Sequence, residues 1–322
     1  MPIPVTVLTG FLGAGKTTVL QKMLAQENYG DTAVLINEFG EVGIDQQLVA
    51  PVAPNVVLLD SGCLCCQIRG ELKEALVGLL DARAQKTVPP FQKIVIETTG
   101  LAEPTPIIAT MQADPLLSHQ VAVARTITVA DAVNGHEMAQ SGNTVWARQV
   151  AAADVILISK ADIAPEAAVQ RLENHFAAML PGAAVLRHGL HDPLPDFGKL
   201  PGGIRTPREA AYRAKNISAH GGVHSLALRI AEPVDWTAFG VWLSALLHAH
   251  GKAVLRIKGI LNIGEDYPVL VNGVQHMVYP PQHLAQWPDS NRDSQLVLIM
   301  AGLDAEKVEV SFRRQVLGIR QA

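Results

Sequence analysis

The sequence lacks a strong net charge of either sign, and this removes one broad class of partner. Its 26 Lys and Arg nearly balance its 30 Asp and Glu, so the formal net charge is −4 and the pI is near 6.3. Such a balance offers no general electrostatic attraction to nucleic acid or to an anionic membrane. We therefore expect no nucleic-acid partner.

Long apolar runs and a basic leader are also missing. No stretch approaches the roughly 18 consecutive apolar residues that a membrane span needs. The first five residues carry no basic side chain of the kind that opens a secretory signal, and a cleavable signal would remove the glycine-rich stretch that follows. These absences predict a cytoplasmic protein with no membrane partner.

Internal repeats and low-complexity tracts are absent as well, and the composition is that of a globular protein. Hydrophobic residues make up 48% of the chain and charged residues 17%, which is enough apolar material for a sizeable core. The length of 322 residues allows two domains.

What the sequence does contain is a phosphate-binding motif at residues 10–17. The segment reads GFLGAGKT, which fits the pattern G-x-x-x-x-G-K-[ST]. Glycine allows backbone conformations in which successive N–H groups converge on one anion, and the N-terminus of a following helix favours the same charge. The predicted phosphate-binding residues are Gly10, Gly13, Ala14, Gly15, Lys16, Thr17 and Thr18.

The residues that flank this motif support the same interpretation. Val5–Leu8 is a short apolar run and Thr17–Ala25 can continue as a helix, which gives the strand–loop–helix order that the motif requires. Lys16 can reach the β- and γ-phosphates, and the Thr17 hydroxyl can bind Mg²⁺. The sequence therefore predicts a site for a nucleoside triphosphate and Mg²⁺.

Alternating strand and helix patterns predict a doubly wound α/β domain with a mostly parallel sheet. Several strands are continuous apolar runs, as is typical of strands covered on both faces, and such a sheet gathers ligand groups at the carboxyl ends of its strands. The predicted strands are Val5–Leu8, Ala33–Ile36, Val56–Leu59, Ile94–Ile96, Arg125–Val129, Val155–Ile158 and Ala184–Leu186. The predicted helices are Thr17–Ala25, Glu71–Ala84, Ala147–Ala153 and Pro165–Leu180.

A change of pattern predicts a second, smaller α+β domain. Four Pro and three Gly fall within residues 191–215, which predicts a linker between a phosphate-loop domain at 1–190 and a mostly antiparallel domain at 216–322. The strands predicted there are Ser225–Ile230, Val254–Ile263, Pro268–Val271, Met277–Tyr279 and Leu296–Ala301, and the helices are Asp235–His250 and Asp304–Phe312.

The nature of the base is predicted from Ser159, Lys160 and Asp162, which follow an apolar strand. A carboxylate at Asp162 can accept hydrogen bonds from guanine N1–H and N2–H₂, which adenine does not offer, and the Lys160 stem can cover the base. Ser159 stands where the usual guanine motif has Asn. The pattern favours GTP; the alternative is a solvated Lys/Asp pair that closes a turn.

Acidic residues after two other strands are candidates for hydrolysis. Glu97 ends a strand and is placed to hold Mg²⁺, as the acidic residue of a Walker B strand does, although it could instead cap the next turn. The N–H of Gly100 could sense the γ-phosphate. Residues 37–45 would form the other switch segment, where either Asp45 or Glu38 could orient water or outer-sphere Mg²⁺.

All three cysteines of the chain lie within four residues, at Cys63, Cys65 and Cys66. Clustered thiols in a cytoplasmic protein indicate metal or redox chemistry rather than a structural disulfide, and three thiolates suit Zn²⁺ or another thiophilic ion. The fourth ligand could be water, a switch carboxylate such as Glu41, or a group of a partner protein. Buried inert cysteines and a redox pair are the alternatives.

Four motifs in this order resemble those of the CobW-type GTPases, which are relatives of the UreG and HypB nickel-insertion GTPases. The second domain also looks like the C-terminal domain of that family, so the similarity covers nearly the whole chain. The motifs are GFLGAGKTT at 10–18, NEFG at 37–40, GCLCC at 62–66 and ETTG at 97–100, with LRIKG at 255–259 and GVQH at 273–276 in the second domain.

The resemblance implies a metallochaperone that hydrolyses GTP to GDP and phosphate and delivers Zn²⁺, or a similar ion such as Co²⁺ or Ni²⁺, to a client metalloprotein. It assigns the metal to Cys63, Cys65 and Cys66. The residues predicted to carry hydrolysis are Lys16, Thr17, Glu97 and Asp45.

Three other functions remain open on the sequence. They are a regulatory GTPase with a purely structural zinc, a small-molecule kinase of the phosphate-loop class, and a cobalt-handling protein in cobalamin synthesis. Asp162 and the cysteines argue against the kinase. A homodimer could also form.

Overall fold

The computed structural model describes residues 2–37, 57–61, 68–200, 217–218, 223–288 and 290–318. These residues fall into two compact units. One unit is drawn from Met1–Met138, Thr144–Leu172 and Ala184–Gly202, and the other from Ala139–Asn143, Glu173–Ala183 and Gly203–Ala322. Within the described ranges, no helix combines the length and the apolar character that crossing a membrane requires.

The first unit is built on a parallel sheet, as the sequence predicts. In the described part of the chain its strands are β1 (Ile3–Thr9), β2 (Thr32–Asn37), β3 (Val57–Ser61), β4 (Lys93–Glu97), β5 (Val121–Asp131), β6 (Val155–Ser159) and β7 (Ala184–Arg187). Their order across the sheet is β3-β2-β4-β1-β5-β6-β7, and every pair is parallel.

The strand order reverses at β1, which lies between β4 and β5. In open α/β sheets this reversal leaves a crevice at the carboxyl ends of the strands, and ligands bind there. The segment that directly follows β1 is the predicted phosphate loop, so the topology places that loop at the crevice.

Helices connect the strands of this sheet. They are α1 (Lys16–Leu24), α2 (Ile68–Ala84), α3 (Pro104–Ala113), α4 (Pro115–Gln120), α5 (Gly135–Gln140), α6 (Thr144–Ala151) and α7 (Glu166–Met179). The four helices predicted from the sequence correspond to α1, α2, α6 and α7, with ends that differ by up to three residues.

Helices α3, α4 and α5 are not among the predicted elements. Proline stands at the first position of α3 and of α4, where its missing N–H costs nothing. The carboxylate of Asp114 caps α4 by accepting the N–H groups of Leu116 and Leu117 at 2.9 and 3.2 Å. The Asp-Pro pair is a start signal for a helix, and the sequence-based interpretation did not use it.

The core on the α1 side of the sheet includes residues from the segment predicted as a linker. Leu194 and Phe197 are buried there, and Phe197 is only 2% exposed. Burying a side chain of that size stabilises the fold by about 1.5–3 kcal/mol. Side chains also hold the backbone of this segment, because Gln26 donates to the Leu194 carbonyl at 2.9 Å and Arg125 to the Leu200 carbonyl at 2.8 Å.

The second unit contains an antiparallel sheet, also as predicted. Its described strands are β8 (Ile217–Ser218), β9 (Val223–Ile230), β10 (Val254–Leu261), β11 (Val269–Val274), β12 (Met277–Val278), β13 (Gln282–His283) and β14 (Ser294–Ala301). Their order is β12-β11-β10-β14-β9-β8, with β13 paired to β11.

This unit also contains two capped helices, α8 (Trp236–His250) and α9 (Ala305–Val316). The Asp235 carboxylate accepts the N–H of Ala238 at 2.8 Å, and Asp304 caps α9 in the same manner. Side chains of both helices share one apolar core with the sheet, where the rings of Trp242 and Phe312 meet edge to face at 5.0 Å.

Candidate nucleotide-binding site

The phosphate loop joins β1 to α1 through glycines in left-handed conformations. Gly10, Gly13 and Gly15 have φ angles of 145°, 72° and 90°, which other residues adopt only with strain. A Cβ on Gly10 would also lie 2.3 Å from the carbonyl oxygen of Val129. The loop therefore requires glycine at position 10 for two separate reasons, its backbone angle and its contact with β5.

Lys16 and its neighbours have different surroundings within this loop. The Lys16 side chain is buried, and its ammonium group donates to the Phe11 carbonyl at 3.3 Å, across the loop. Ala14 is buried, whereas Thr18 is exposed on the first turn of α1. The Lys16 ammonium group thus lies against the backbone of the loop.

Thr17 and Glu97 are brought together from α1 and from the end of β4. The Thr17 hydroxyl donates to the Glu97 carboxylate at 2.9 Å, and Glu97 is only 3% exposed. The two residues are 80 positions apart in the sequence. This contact brings together two side-chain oxygens, a type of atom that Mg²⁺ prefers as a ligand.

The segment after β4 lies directly against the phosphate loop. The Thr98 hydroxyl donates to the Thr9 hydroxyl at 2.9 Å. A Cβ on Gly100 would lie 2.7 Å from the backbone nitrogen of Leu12. Only glycine allows this approach, so the two loops meet backbone to backbone at Gly100.

Two side chains of α6 also bind the same segment. Gln149 is fully buried, and its amide donates to the carbonyls of Gly100 and Ala102 at 3.1 and 2.9 Å. The neighbouring Arg148 forms an ion pair with Glu103. The sequence-based interpretation missed both residues, although a polar side chain on the apolar face of a short helix was a usable signal for Gln149.

Ser159, at the end of β6, connects the predicted base end of the site to the phosphate loop. Its buried hydroxyl donates to the carbonyl of Ala14 at 2.7 Å. The hydroxyl at this position therefore performs a specific structural role, which ties β6 to the loop at the carboxyl edge of the sheet.

Lys160 follows in a left-handed conformation, with φ of 56°. Its ammonium group pairs with the Asp131 carboxylate at 2.7 Å. Burial alone would raise the pKa of Asp131, but hydrogen bonds from Lys160, from the N–H of Val133 and from Asn134 hold that pKa below its usual value. Asp131 is therefore ionised at neutral pH and fixes the position of the Lys160 stem.

Asp162 is held by the loop that follows β7. Its carboxylate accepts the N–H of Leu190 at 3.1 Å, and this bond is the main reason why the pKa of Asp162 lies below its usual value. A Cβ on Gly189 would lie 2.8 Å from the Cβ of Asp162. The loop at 188–192 was missed from the sequence, although Gly189, two residues after β7, was a signal.

The structure thus connects the phosphate loop, Thr17, Glu97, Gly100 and Ser159 through hydrogen bonds and close backbone contacts. Within the ranges that the structure covers, no group of three or more His, Cys, Asp or Glu could hold a metal ion. The remaining predicted site residues lie outside the described residues: Glu38, Glu41, Asp45, Cys63, Cys65 and Cys66.

Two family models match the sequence and together span most of it. Residues 4–187 match the family described as CobW/HypB/UreG, nucleotide-binding domain, and residues 223–316 match the one described as Cobalamin synthesis protein cobW C-terminal domain. The first match alone covers more than half of the chain.

Similar proteins extend over nearly the whole length. The chain is 34% identical to the zinc chaperone YjiA of Escherichia coli over 97% of this chain and 98% of that protein. It is 30% identical to the zinc chaperone CobW of Pseudomonas aeruginosa over 97% and 91%.

Solved structures of the first of these proteins have the same fold. The Zn(II)-bound YjiA GTPase of E. coli superposes with a TM-score of 0.73 at 28% identity, and each chain is covered completely. A Zn(II)-bound triple mutant of YjiA, in which one glutamate and two cysteines are alanine, superposes with a TM-score of 0.74, also at 28% identity and with complete coverage.

Proposed function

The chain belongs to the CobW/HypB/UreG family of P-loop GTPases, and on that premise we propose that it is a GTP-dependent metallochaperone. It binds Zn²⁺ or a similar transition-metal ion through Cys63, Cys65 and Cys66 and delivers that ion to a client metalloprotein. The observation that carries the proposal is that a built nucleotide site and the only three cysteines occur in one chain, with the cysteines in the connection that follows β3.

The nucleotide part of the proposal rests on the loop and the oxygen pair beside it. Lys16 neutralises charge on the β- and γ-phosphates. Thr17 and Glu97 fit Mg²⁺ because both present oxygen within one hydrogen bond of each other, at 2.9 Å. When bound, Mg²⁺ supplies positive charge that stabilises phosphoryl transfer.

Specificity for guanine is assigned to Asp162. Its pKa is lowered, so the carboxylate is ionised at neutral pH and can accept hydrogen bonds from guanine N1–H and N2–H₂. Ser159 fixes the start of this segment to the phosphate loop through the Ala14 carbonyl. The groups that bind the base and the groups that bind the phosphates would therefore be held in a fixed position relative to each other.

The metal part of the proposal is supported by ligand chemistry and by the relatives. Three thiolates suit zinc and other borderline ions, and the two similar proteins named above are called zinc chaperones. Strand β3 is parallel to β1, from which β2 and β4 separate it, so the carboxyl ends of both strands lie on the same side of the sheet. Glu41 is the proposed fourth ligand, and Asp45 is proposed to orient the attacking water.

Coupling between nucleotide and metal would make such a protein a carrier. If GTP and GDP favour different arrangements of the switch segments, they change the affinity of the thiolates for the ion. A coupling free energy of about 1–3 kcal/mol corresponds to a change of roughly 5- to 150-fold in affinity.

The test is the affinity for Zn²⁺, measured by competition with a chelator in the presence of GDP and then of a non-hydrolysable GTP analogue. We expect a tenfold or larger difference between the two nucleotides, and its loss in Cys65→Ala. The matched control is His119→Ala, which removes an exposed histidine on α4. The assay measures affinity rather than the presence of bound zinc. The reason is that the triple mutant of the E. coli relative, which lacks two cysteines, still contains zinc.

The outcome separates the proposal from the alternatives. Tight zinc that ignores the nucleotide would mean a regulatory GTPase with a structural zinc site. A nucleotide-dependent preference for Co²⁺ over Zn²⁺ would favour a cobalt-handling protein. An unchanged affinity for Zn²⁺ in Cys65→Ala would mean that the cysteines do not bind the metal and are buried, inert side chains.

A further inference from the structure

Lys22 makes three contacts with the loop that follows β7. It lies on α1, the helix that begins at the phosphate-binding Lys16. Its ammonium group bonds to the Nε2 atom of His188 at 3.2 Å, to the carbonyl of Asp192 at 3.2 Å, and to the carbonyl of Leu190. An ammonium group has three N–H donors, so the loop can engage all of them.

The loop that Lys22 holds is the one that holds Asp162. The N–H of Leu190 donates to the Asp162 carboxylate at 3.1 Å, and the carbonyl of the same Leu190 accepts from Lys22. The N–H of Gly189 donates to the Asp192 carboxylate at 2.7 Å, which closes the turn. One residue, Leu190, thus connects Lys22 to the base-reading carboxylate through its own peptide groups.

The state of His188 follows from this contact. Lys22 has donors only, so Nε2 must accept and the ring proton must lie on Nδ1. His188 is 4% exposed, and burial, with the nearby Lys22 charge, lowers its pKa, although the carboxylates of Asp192 and Asp162 oppose the shift. A neutral ring is therefore the form that accepts the ammonium group.

We propose that Lys22 is a positioning residue for recognition of the base. By holding the 188–192 loop, it fixes the N–H of Leu190 and thereby the direction of the Asp162 carboxylate. The first turn of α1 would then bind the phosphates, and Lys22 in its last turn would position the loop that holds the base-reading carboxylate. This inference rests on the proposed role of Asp162 in reading guanine.

The test compares the binding of GDP with that of inosine diphosphate, which lacks the 2-amino group and so offers Asp162 one hydrogen bond fewer. Lys22→Met keeps the length of the side chain and removes the three donors. In the parent protein, the dissociation constant of inosine diphosphate should exceed that of GDP. We expect the ratio of the first constant to the second to fall by about fivefold in Lys22→Met, which corresponds to one hydrogen bond. A purely structural role would weaken both nucleotides equally and leave the ratio unchanged.

Three further variants sharpen the test. Gln26→Met is the matched control, because Gln26 lies two residues after the end of α1 and bonds to the Leu194 carbonyl, beyond the 188–192 loop. It should leave the ratio unchanged. Gly189→Ala leaves Lys22 intact but places a Cβ 2.8 Å from the Cβ of Asp162. It should lower the ratio by displacing the carboxylate directly, which shows that the ratio reports the position of Asp162. Lys22→Gln, whose shorter side chain removes the ammonium group but stays polar, provides the answer if Lys22→Met does not fold.

Asp162→Asn distinguishes failure of this inference from failure of the proposed function. If Asp162→Asn abolishes the preference for GDP while Lys22→Met leaves it unchanged, then Lys22 does not position the carboxylate, whatever the effect of Gly189→Ala. If Asp162→Asn also leaves the preference unchanged, then the assignment of guanine recognition to Asp162 is wrong.

Discussion

Replacing Gln149 by leucine tests whether the segment after β4 is held by a buried amide. Leucine has a similar volume but no donor, so the carbonyls of Gly100 and Ala102 lose the bonds of 3.1 and 2.9 Å. The Gly100 carbonyl bond is buried, and leaving such a group unpaired costs about 1–3 kcal/mol, whereas the half-buried Ala102 carbonyl can be hydrated at a cost of about 1 kcal/mol. We expect a total loss of roughly 2–4 kcal/mol in the free energy of unfolding.

Two assays follow from this number. For a unit of this size, about 1 kcal/mol lowers the melting temperature by roughly 2–4 °C, so a loss of about 2–4 kcal/mol should make Gln149→Leu melt about 4–16 °C lower. Because Gly100 is the proposed sensor of the γ-phosphate, GTP hydrolysis should fall while the affinity for GDP changes little. Arg148→Met is the matched control on the same helix. It removes a partly exposed ion pair, worth up to about 1 kcal/mol.

A Gln149→Leu protein that melts within 2 °C of the parent protein and hydrolyses GTP at the same rate would show that the buried amide does not hold this segment. A melting temperature that falls as far in Arg148→Met as in Gln149→Leu would also contradict this role, because the buried amide would then contribute no more stability than the partly exposed ion pair.

Two further predictions concern the core and the pH dependence. Phe197→Ala should lower the free energy of unfolding by about 3–5 kcal/mol, measured by urea denaturation, because Phe197 is packed in the core beside α1; a loss below 1 kcal/mol would mean that the segment around it is peripheral. Because the pKa of His188 is lowered from 6.5, the unfolded chain binds the proton more readily, so stability should fall as the pH drops below about 6.5. The decline between pH 7 and 5 should be shallower in His188→Gln, and an equal or steeper decline would contradict this assignment.

The parts of the site that sequence reasoning predicted are those encoded by local pattern. The phosphate loop needs glycine at residues whose φ angles are positive, and the strand before it and the helix after it are apolar in the matching periods. Glu97 could be singled out because it ends a buried strand. In each case the physical requirement lies within a few neighbouring residues.

The parts that were missed depend on residues distant in sequence. Gln149 is about fifty positions from Gly100, and Lys22 is more than 160 from His188. No pattern of neighbouring residues predicts either contact, because the two residues of each pair meet only after the helices have packed on the sheet. Ser159 shows an intermediate case: its position was predicted, but its bond to Ala14 depends on how β6 meets the loop.

The packing of Leu194 and Phe197 into the first core limits how the protein can be divided into fragments. A nucleotide-binding fragment that stops at residue 190 would lose a ring that is 2% exposed and the carbonyls that Gln26 and Arg125 bind. Such a fragment would expose apolar surface beside α1 and be prone to aggregate. A fragment that extends to residue 200 keeps these contacts, so the end of a soluble nucleotide-binding fragment is set by Phe197 rather than by the density of proline and glycine.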